Sequence, residues 1–164
     1  MQAVIGTIGM VTATTVIHSI STLSSSVYTI MSHIRVTKDI HQTEILKILS
    51  KTDVDATIHL LHNVILEIPD YYNSSISVVT ALKNVQEIIA EIEAELTEIH
   101  KKITYNSELK YLSNWRSYDC KDNLDSIEIK VAVLDKRRDN LFKILEVFKN
   151  INKDNKNDKN DIQI

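Results

Sequence analysis

Glycine and proline are almost missing from this sequence: Gly6, Gly9 and Pro69 are all it has in 164 residues. Tight turns, bulges and loops that cradle phosphate depend on these two residue types. Their scarcity argues against a β sandwich or an α/β sheet, even though isoleucine is abundant enough to furnish strands. It also excludes the glycine-based nucleotide and nucleophile-elbow signatures, and no H-E-x-x-H occurs either. Long helices joined by few, short loops are what remains.

Cysteine is represented by Cys120 alone, so no disulfide can form within the chain, and a reducing, cytoplasmic setting is expected. Cys120 lies between Asp119 and Lys121 with no histidine nearby in sequence to activate it, and is not read as a nucleophile. The formal net charge of −3 lacks the basic footprint of a nucleic-acid binder. No histidine follows a glutamate by three positions, as a carboxylate-bridged metal site in a helical bundle requires. His59 and His62 are correctly spaced to touch one ion but have no evident further ligand, and Glu91, Glu93, Glu95 and Glu98 read as a solvated helix face. The expectation is therefore a non-enzyme, with no catalytic residue, cofactor, metal or small-molecule substrate and no nucleic-acid partner.

Charge is the third absence. From Met1 to Ile34 there is no Asp, Glu, Lys or Arg, and the first such residues are Arg35, Lys38 and Asp39. The stretch is uncharged rather than greasy, because hydroxyl side chains from Thr7 to Ser26 recur through it. Within it Val16, Ile20, Leu23, Val27, Ile30 and Ile34 step by four and three, and the stripe runs back through Ala13, Gly9 and Gly6. Three readings stay open. The segment is the central helix of a bundle, with hydroxyls bonded back to helix carbonyls; or it spans a bilayer; or it is buried in one state and inserted into lipid or an assembly in another, its small residues allowing close helix approach.

The rest of the chain has helical periodicity throughout. The spacing predicts a first helix over about 2–34, continuing or kinked to 51, then helices over 54–68, 74–117 and 122–150. Asp53 is a plausible N-cap, and Pro69 stops the second of these. Val78, Leu82, Val85, Ile89, Ile92, Leu96, Ile99 and Ile103 hold four-three spacing for nearly four heptads. Leu124, Ile127, Val131, Leu134, Leu141, Leu145 and Phe148 repeat it, with Arg138 where an apolar residue is expected. Beyond 150 the run of Asn, Lys and Asp is too polar to bury, so residues 151–164 are expected to be a disordered tail. The fold class is all-α: one domain, residues 1–150, forming an antiparallel four-helix bundle with coiled-coil-like packing. The same heptads would also serve an intermolecular coiled coil.

The opening AVIGTIGMVTATTVIHSISTLSSSVYTIMSHI resembles the N-terminal helix of the HeLo and HeLo-like domains and of the mixed-lineage-kinase-domain-like bundle, and KYLSNWRSYDCKDNLDSIEIKVAVLDKRRDNLFKIL resembles the last two helices of that class. The likeness covers roughly residues 3–150. It departs from the class in that no kinase, NACHT or prion-forming region is present. The resemblance implies a membrane-targeting cell-death or signalling bundle, in which the N-terminal helix inserts and basic residues meet anionic head groups. Onto this sequence it carries Val4, Ile5, Ile8, Val11, Val16 and Ile20 as the membrane or partner helix. Lys136, Arg137, Arg138 and Lys143 are lipid-contact candidates on charge, against the plainer reading of a solvated face paired to Asp135 and Asp139. The expected partners are proteins, a second copy of the chain, or an anionic membrane. The alternative function is a structural subunit of an oligomeric assembly such as a virion.

Overall fold

The computed structural model describes residues 12–37, 42–108 and 119–160, with the side chains of all but 44 and 152–160. Five α-helices occupy them: α1 (Ala13–Val36), α2 (Gln42–Thr52), α3 (Val54–Leu66), α4 (Ile76–Glu108) and α5 (Lys121–Asn160), with a single 3-10 turn at Asp70–Tyr72. No strand occurs among the described residues.

Local chemistry sets the boundaries. Thr12 is extended and its hydroxyl accepts from the Thr15 amide, which caps α1. The described helix begins at Ala13, and the 2–11 part of the predicted first helix lies outside the described residues. Val4, Ile5, Ile8 and Val11 lie outside the described residues, as does the 109–117 end of the third predicted helix. At the far end of α1 the Thr37 amide and hydroxyl both donate to the His33 carbonyl, at 3.0 and 2.8 Å. Extended backbone at Thr37 stops the helix there, so 13–36 and 42–52 are separate helices. α2 and α3 are separated only by Asp53, whose φ of 50° places a non-glycine residue in the left-handed region. α3 stops at Leu66, three residues before Pro69, because the residue before a proline is pushed out of helical backbone. α5 continues to Asn160, through the first ten residues of the expected tail. No glycine or proline interrupts that stretch, so nothing in its backbone chemistry ends the helix at 150.

α4 is the organising element. All eight residues of its seam, Val78 to Ile103, are buried, together with Ala81 and Ile88. Both flanks are used: α4 packs most extensively against α1 and α5, while α3 leans on α1 and α2 on α5. The α1 stripe of Ala13, Val16, Ile20, Ser24, Val27, Met31 and Ile34 is buried against this frame. From α5, Leu124, Ile127, Val131, Leu134 and Leu141 are buried, and Leu145 and Phe148 pack partly exposed at the edge of the core. Each fully buried Leu, Ile or Val contributes about 1.5–3 kcal/mol relative to exposure.

Pairings along the helices fix their directions. Ser19 meets Gln86, Ser26 meets Glu93 and His33 meets His100. Each pair is 67 residues apart and successive pairs are seven apart, so α1 and α4 run side by side in the same direction in heptad register. α4 and α5 run opposite ways: Lys102 reaches Asn123, Glu95 reaches Lys130 and Glu87 reaches Arg137. α1 and α3 also oppose, through Arg35 with Asp55, Tyr28 with His59 and Ser21 with His62. The expectation that chain neighbours would lie side by side antiparallel therefore needs correction: α3 and α4 share no extensive contact. The segment between them crosses the bundle end, held by buried Tyr72, whose ring lies 5.6 Å from that of Phe148 on α5. Side-chain fit decides this, because the seams of α1 and α4 match each other rather than their sequence neighbours.

Two substitutions test this packing. Ile89→Ala at the centre of α4 should cost about 2–5 kcal/mol in urea unfolding, the range for a large-to-small change in a packed core. Ser24→Ala removes a buried hydroxyl that has no partner and should stabilise by about 1 kcal/mol in the same assay.

Candidate functional site

α1 solves its hydroxyl content mostly by bonding inward on itself. Ser21, Thr22, Ser25 and Thr29 each donate to the carbonyl four residues back, at 2.9–3.1 Å. Ser19 and Ser26 instead join α4: Gln86 donates to Ser19 at 2.8 Å, and Ser26 donates to Glu93 at 2.7 Å. Ser24 is fully buried in the apolar stripe and its Oγ has no partner. Of the predicted membrane or partner positions, Val16 and Ile20 are core residues. Among the described residues no helix is long and apolar enough to cross a membrane.

The basic candidates on α5 do not act as one patch. Arg138 pairs with Asp135 at 2.7 Å and Asp139 at 3.0 Å. Arg137 reaches across to α4, where it donates to the Asn84 carbonyl and lies 3.7 Å from Glu87. Lys136 and Lys143 are exposed. His59 and His62 turn to different partners, Tyr28 and Ser21, rather than to a shared ion. No group of three or more possible metal ligands occurs among the described residues. Cys120, although flanked by Asp119 and Lys121, is buried beside Leu124 at the head of α5.

The glutamate run contains one residue that is not simply solvated. Glu95 accepts from Lys130 at 2.6 Å, and from Asn123 and Ser126 at 2.8 Å each. Burial alone would push its carboxyl up. The bonds from Lys130, Asn123 and Ser126, with the Lys130 charge, outweigh it and hold Glu95 below its usual value. This cluster fastens α5 to α4. At the α1–α4 rung seven residues beyond Ser26–Glu93, burial and the neighbouring His33 hold His100 below the usual histidine value; the two ring centroids are 5.3 Å apart.

Sequence reasoning missed a cavity of about 440 Å³ where α1 meets the α2–α3 break. Tyr28, Arg35, Ser50, Asp53, Asp55 and His59 supply its polar lining, and Met31, Leu46, Leu49 and Ala56 its apolar walls. Arg35 donates to Asp55 Oδ2 at 2.6 Å, while Asp55 Oδ1 is buried without a hydrogen-bond partner. The Tyr28 ring stands edge-on to His59, with centroids 5.8 Å apart. Burial, with the Asp55 charge, pushes the Tyr28 hydroxyl up to about 12, so it stays protonated at neutral pH. These residues come from three helices and the break at Asp53, and in the sequence Asp53 stood out only as a cap candidate and His59 only as a partner for His62. The remaining signal, Arg35 ending a long uncharged run, gave no hint of its carboxylate.

No family model, curated protein or solved structure matches this chain.

The two shifted groups predict how stability follows pH. Glu95 holds its proton less tightly folded than unfolded, so its contribution is present above its ordinary value of 4.5 and is lost as pH falls below it. His100 is likewise depressed, and its neutral form is favoured by folding, so stability is lost as pH falls through 6.5. Urea midpoints from pH 8 to pH 2 should decline in two steps. Glu95→Gln should abolish the lower step and His100→Gln the upper.

Proposed function

We propose that the chain is a non-enzymatic helical bundle acting through contacts with other proteins, with its uncharged N-terminal helix also engaging an anionic membrane, in the manner of a cell-death or signalling bundle. In this reading it works on the cytoplasmic side of that membrane, and its heptad seams pack as in a coiled coil. The way α1 is held carries the proposal. Its polar rungs to α4 join hydroxyl, amide, carboxylate and imidazole groups and include no ion pair. The one α1 ion pair among the described residues is Arg35 with Asp55 on α3. Its buried stripe contains an orphaned hydroxyl at Ser24. Separating α1 from α4 therefore breaks no ion pair between them, whereas separating α5 from α4 would break Glu95–Lys130.

Val4, Ile5, Ile8 and Val11 would meet lipid or partner first, and Val16 and Ile20 would follow only as α1 leaves α4. Of the four basic candidates on α5, Lys136 and Lys143 are the exposed ones left to face anionic head groups. A second reading, a structural subunit that self-associates, draws on apolar side chains left in solvent, above all Ile76 at 84% exposure and Val36 at 71%.

Vesicle flotation tests the first reading. The full chain should float with anionic vesicles and not with neutral ones. A chain beginning at the Thr12 cap keeps α1 intact and should stay at the bottom. If the full chain fails to float with anionic vesicles, membrane engagement is ruled out. Light scattering on the vesicle-free samples decides the second reading, which requires an assembly larger than one chain.

A further inference from the structure

We propose that the groove between the end of α3 and α5 is the docking site of the chain's own residues 4–11, and that docking there withholds them from a membrane. The docking goes beyond the function argued above; the competition with lipid rests on that reading. The apolar seam of α5 runs out of cover at this end of the bundle. Its residues are buried as far as Leu141, but Leu145 and Phe148 stay partly exposed, and α3 and α5 touch only sparingly. Between them lies a groove of about 580 Å³ walled by Val64, Ile68, Pro69, Tyr71, Tyr72 and Leu145, with Glu67, Glu146 and Lys149 also on its lining. Apolar side chains that fill such an extension of the core are stabilised by leaving water.

Position and chemistry select the occupant. The chain enters α1 beside the groove wall: the Ala13 amide donates to the Asn73 carbonyl at 3.3 Å, and Thr14 Oγ1 donates to Asn73 Oδ1 at 2.9 Å. Asn73 directly follows Tyr71 and Tyr72, and its amide closes their 3-10 turn on the Asp70 carbonyl. Extended backbone at Thr12 takes the chain off the α1 axis. Five extended residues span about 16 Å, more than the roughly 10 Å breadth of one helix, so residues 4–11 reach past α3 to the groove. The stretch MQAVIGTIGMV has no charged side chain, so its burial strands none, and Val4, Ile5, Ile8 and Val11 supply the apolar surface. Other stretches outside the described residues are badly placed. Thr37 and Gln42, like Glu108 and Asp119, stand at the opposite end of the bundle. α5 carries residues 161–164 about 16 Å beyond Lys149. The same side chains cannot face groove and lipid at once, so the two compete.

Photocross-linking of the full chain tests the docking, with Ile5→p-benzoylphenylalanine in one variant and Ile8→p-benzoylphenylalanine in another. Without vesicles, mass spectrometry should place intramolecular cross-links from both positions on residues 64–72 or 145–149. Adding Ile8→Asp to the position-5 variant should remove most of that cross-link, because a carboxylate does not enter an apolar groove; circular dichroism checks that the helices persist. Cross-links to other parts of the chain, cross-links only between two chains, or none from either position overturn the docking. An unchanged yield with Ile8→Asp overturns it too. In the fraction that floats with anionic vesicles the groove cross-link should be lost, and its persistence there overturns the competition with lipid. A chain that cross-links in the groove but fails to float loses the membrane reading and keeps the docking, so the two failures are told apart.

Discussion

Burial of α4 along two flanks at once is the constraint from which the remaining structure follows. Its buried positions are nearly all Ile, Leu and Val, on a helix of 33 residues, too apolar to be satisfied by one neighbour. α1 covers one flank and α5 the other, and α2 and α3 complete the bundle behind them. Once α4 is placed between α1 and α5, α3 has no room beside it. The chain must then cross the bundle end at 67–75, where Pro69 and buried Tyr72 fix its path.

The two flanks are fastened by different chemistry. Between α4 and α5 the polar contacts are charged and convergent, with Glu95 gathering Lys130, Asn123 and Ser126 around one carboxylate. Partly buried networks of this kind specify one register strongly, since a half-satisfied member is costly. Between α1 and α4 the rungs are single, seven residues apart, and made by small hydroxyls or imidazoles. α1 still has a solvent face, at Thr14, Thr15, His18, Thr22, Ser25 and Thr29, kept polar without charge by hydroxyls of which those of Thr22, Ser25 and Thr29 bond to their own backbone.

The α2–α3 break shapes the bundle in another way. A continuous helix through 52–54 would pack against α1 without a gap. With Asp53 in the left-handed region the two pieces separate, and the opening is lined by side chains from three helices. Strain of this sort persists only where surrounding packing over-determines it. Val54, Ile58, Leu61 and Ile65 anchor α3, while Ile45 and Leu49 anchor α2, so both arms of the break are pinned in the core.

How much of this was legible in the sequence depends on the range of the interaction. The helical class, the eight-residue seam of α4, the apolar face of α5, the stop ahead of Pro69 and the back-bonded hydroxyls of α1 all arise within a turn or two of chain, where periodicity and local sterics decide. The pairing of Arg138 with Asp135 and Asp139 is equally local. Which helices adjoin was not legible, because Ile- and Leu-rich stripes on α1, α3, α4 and α5 are interchangeable as patterns. Only their three-dimensional fit selects the parallel α1–α4 pair with its constant offset. The Glu95 cluster and the cavity of Tyr28, Arg35, Asp53, Asp55 and His59 lay further still from view. Their members look like ordinary surface residues one at a time, and they acquire a shared chemistry only when separate helices bring them within hydrogen-bonding or ring-contact distance.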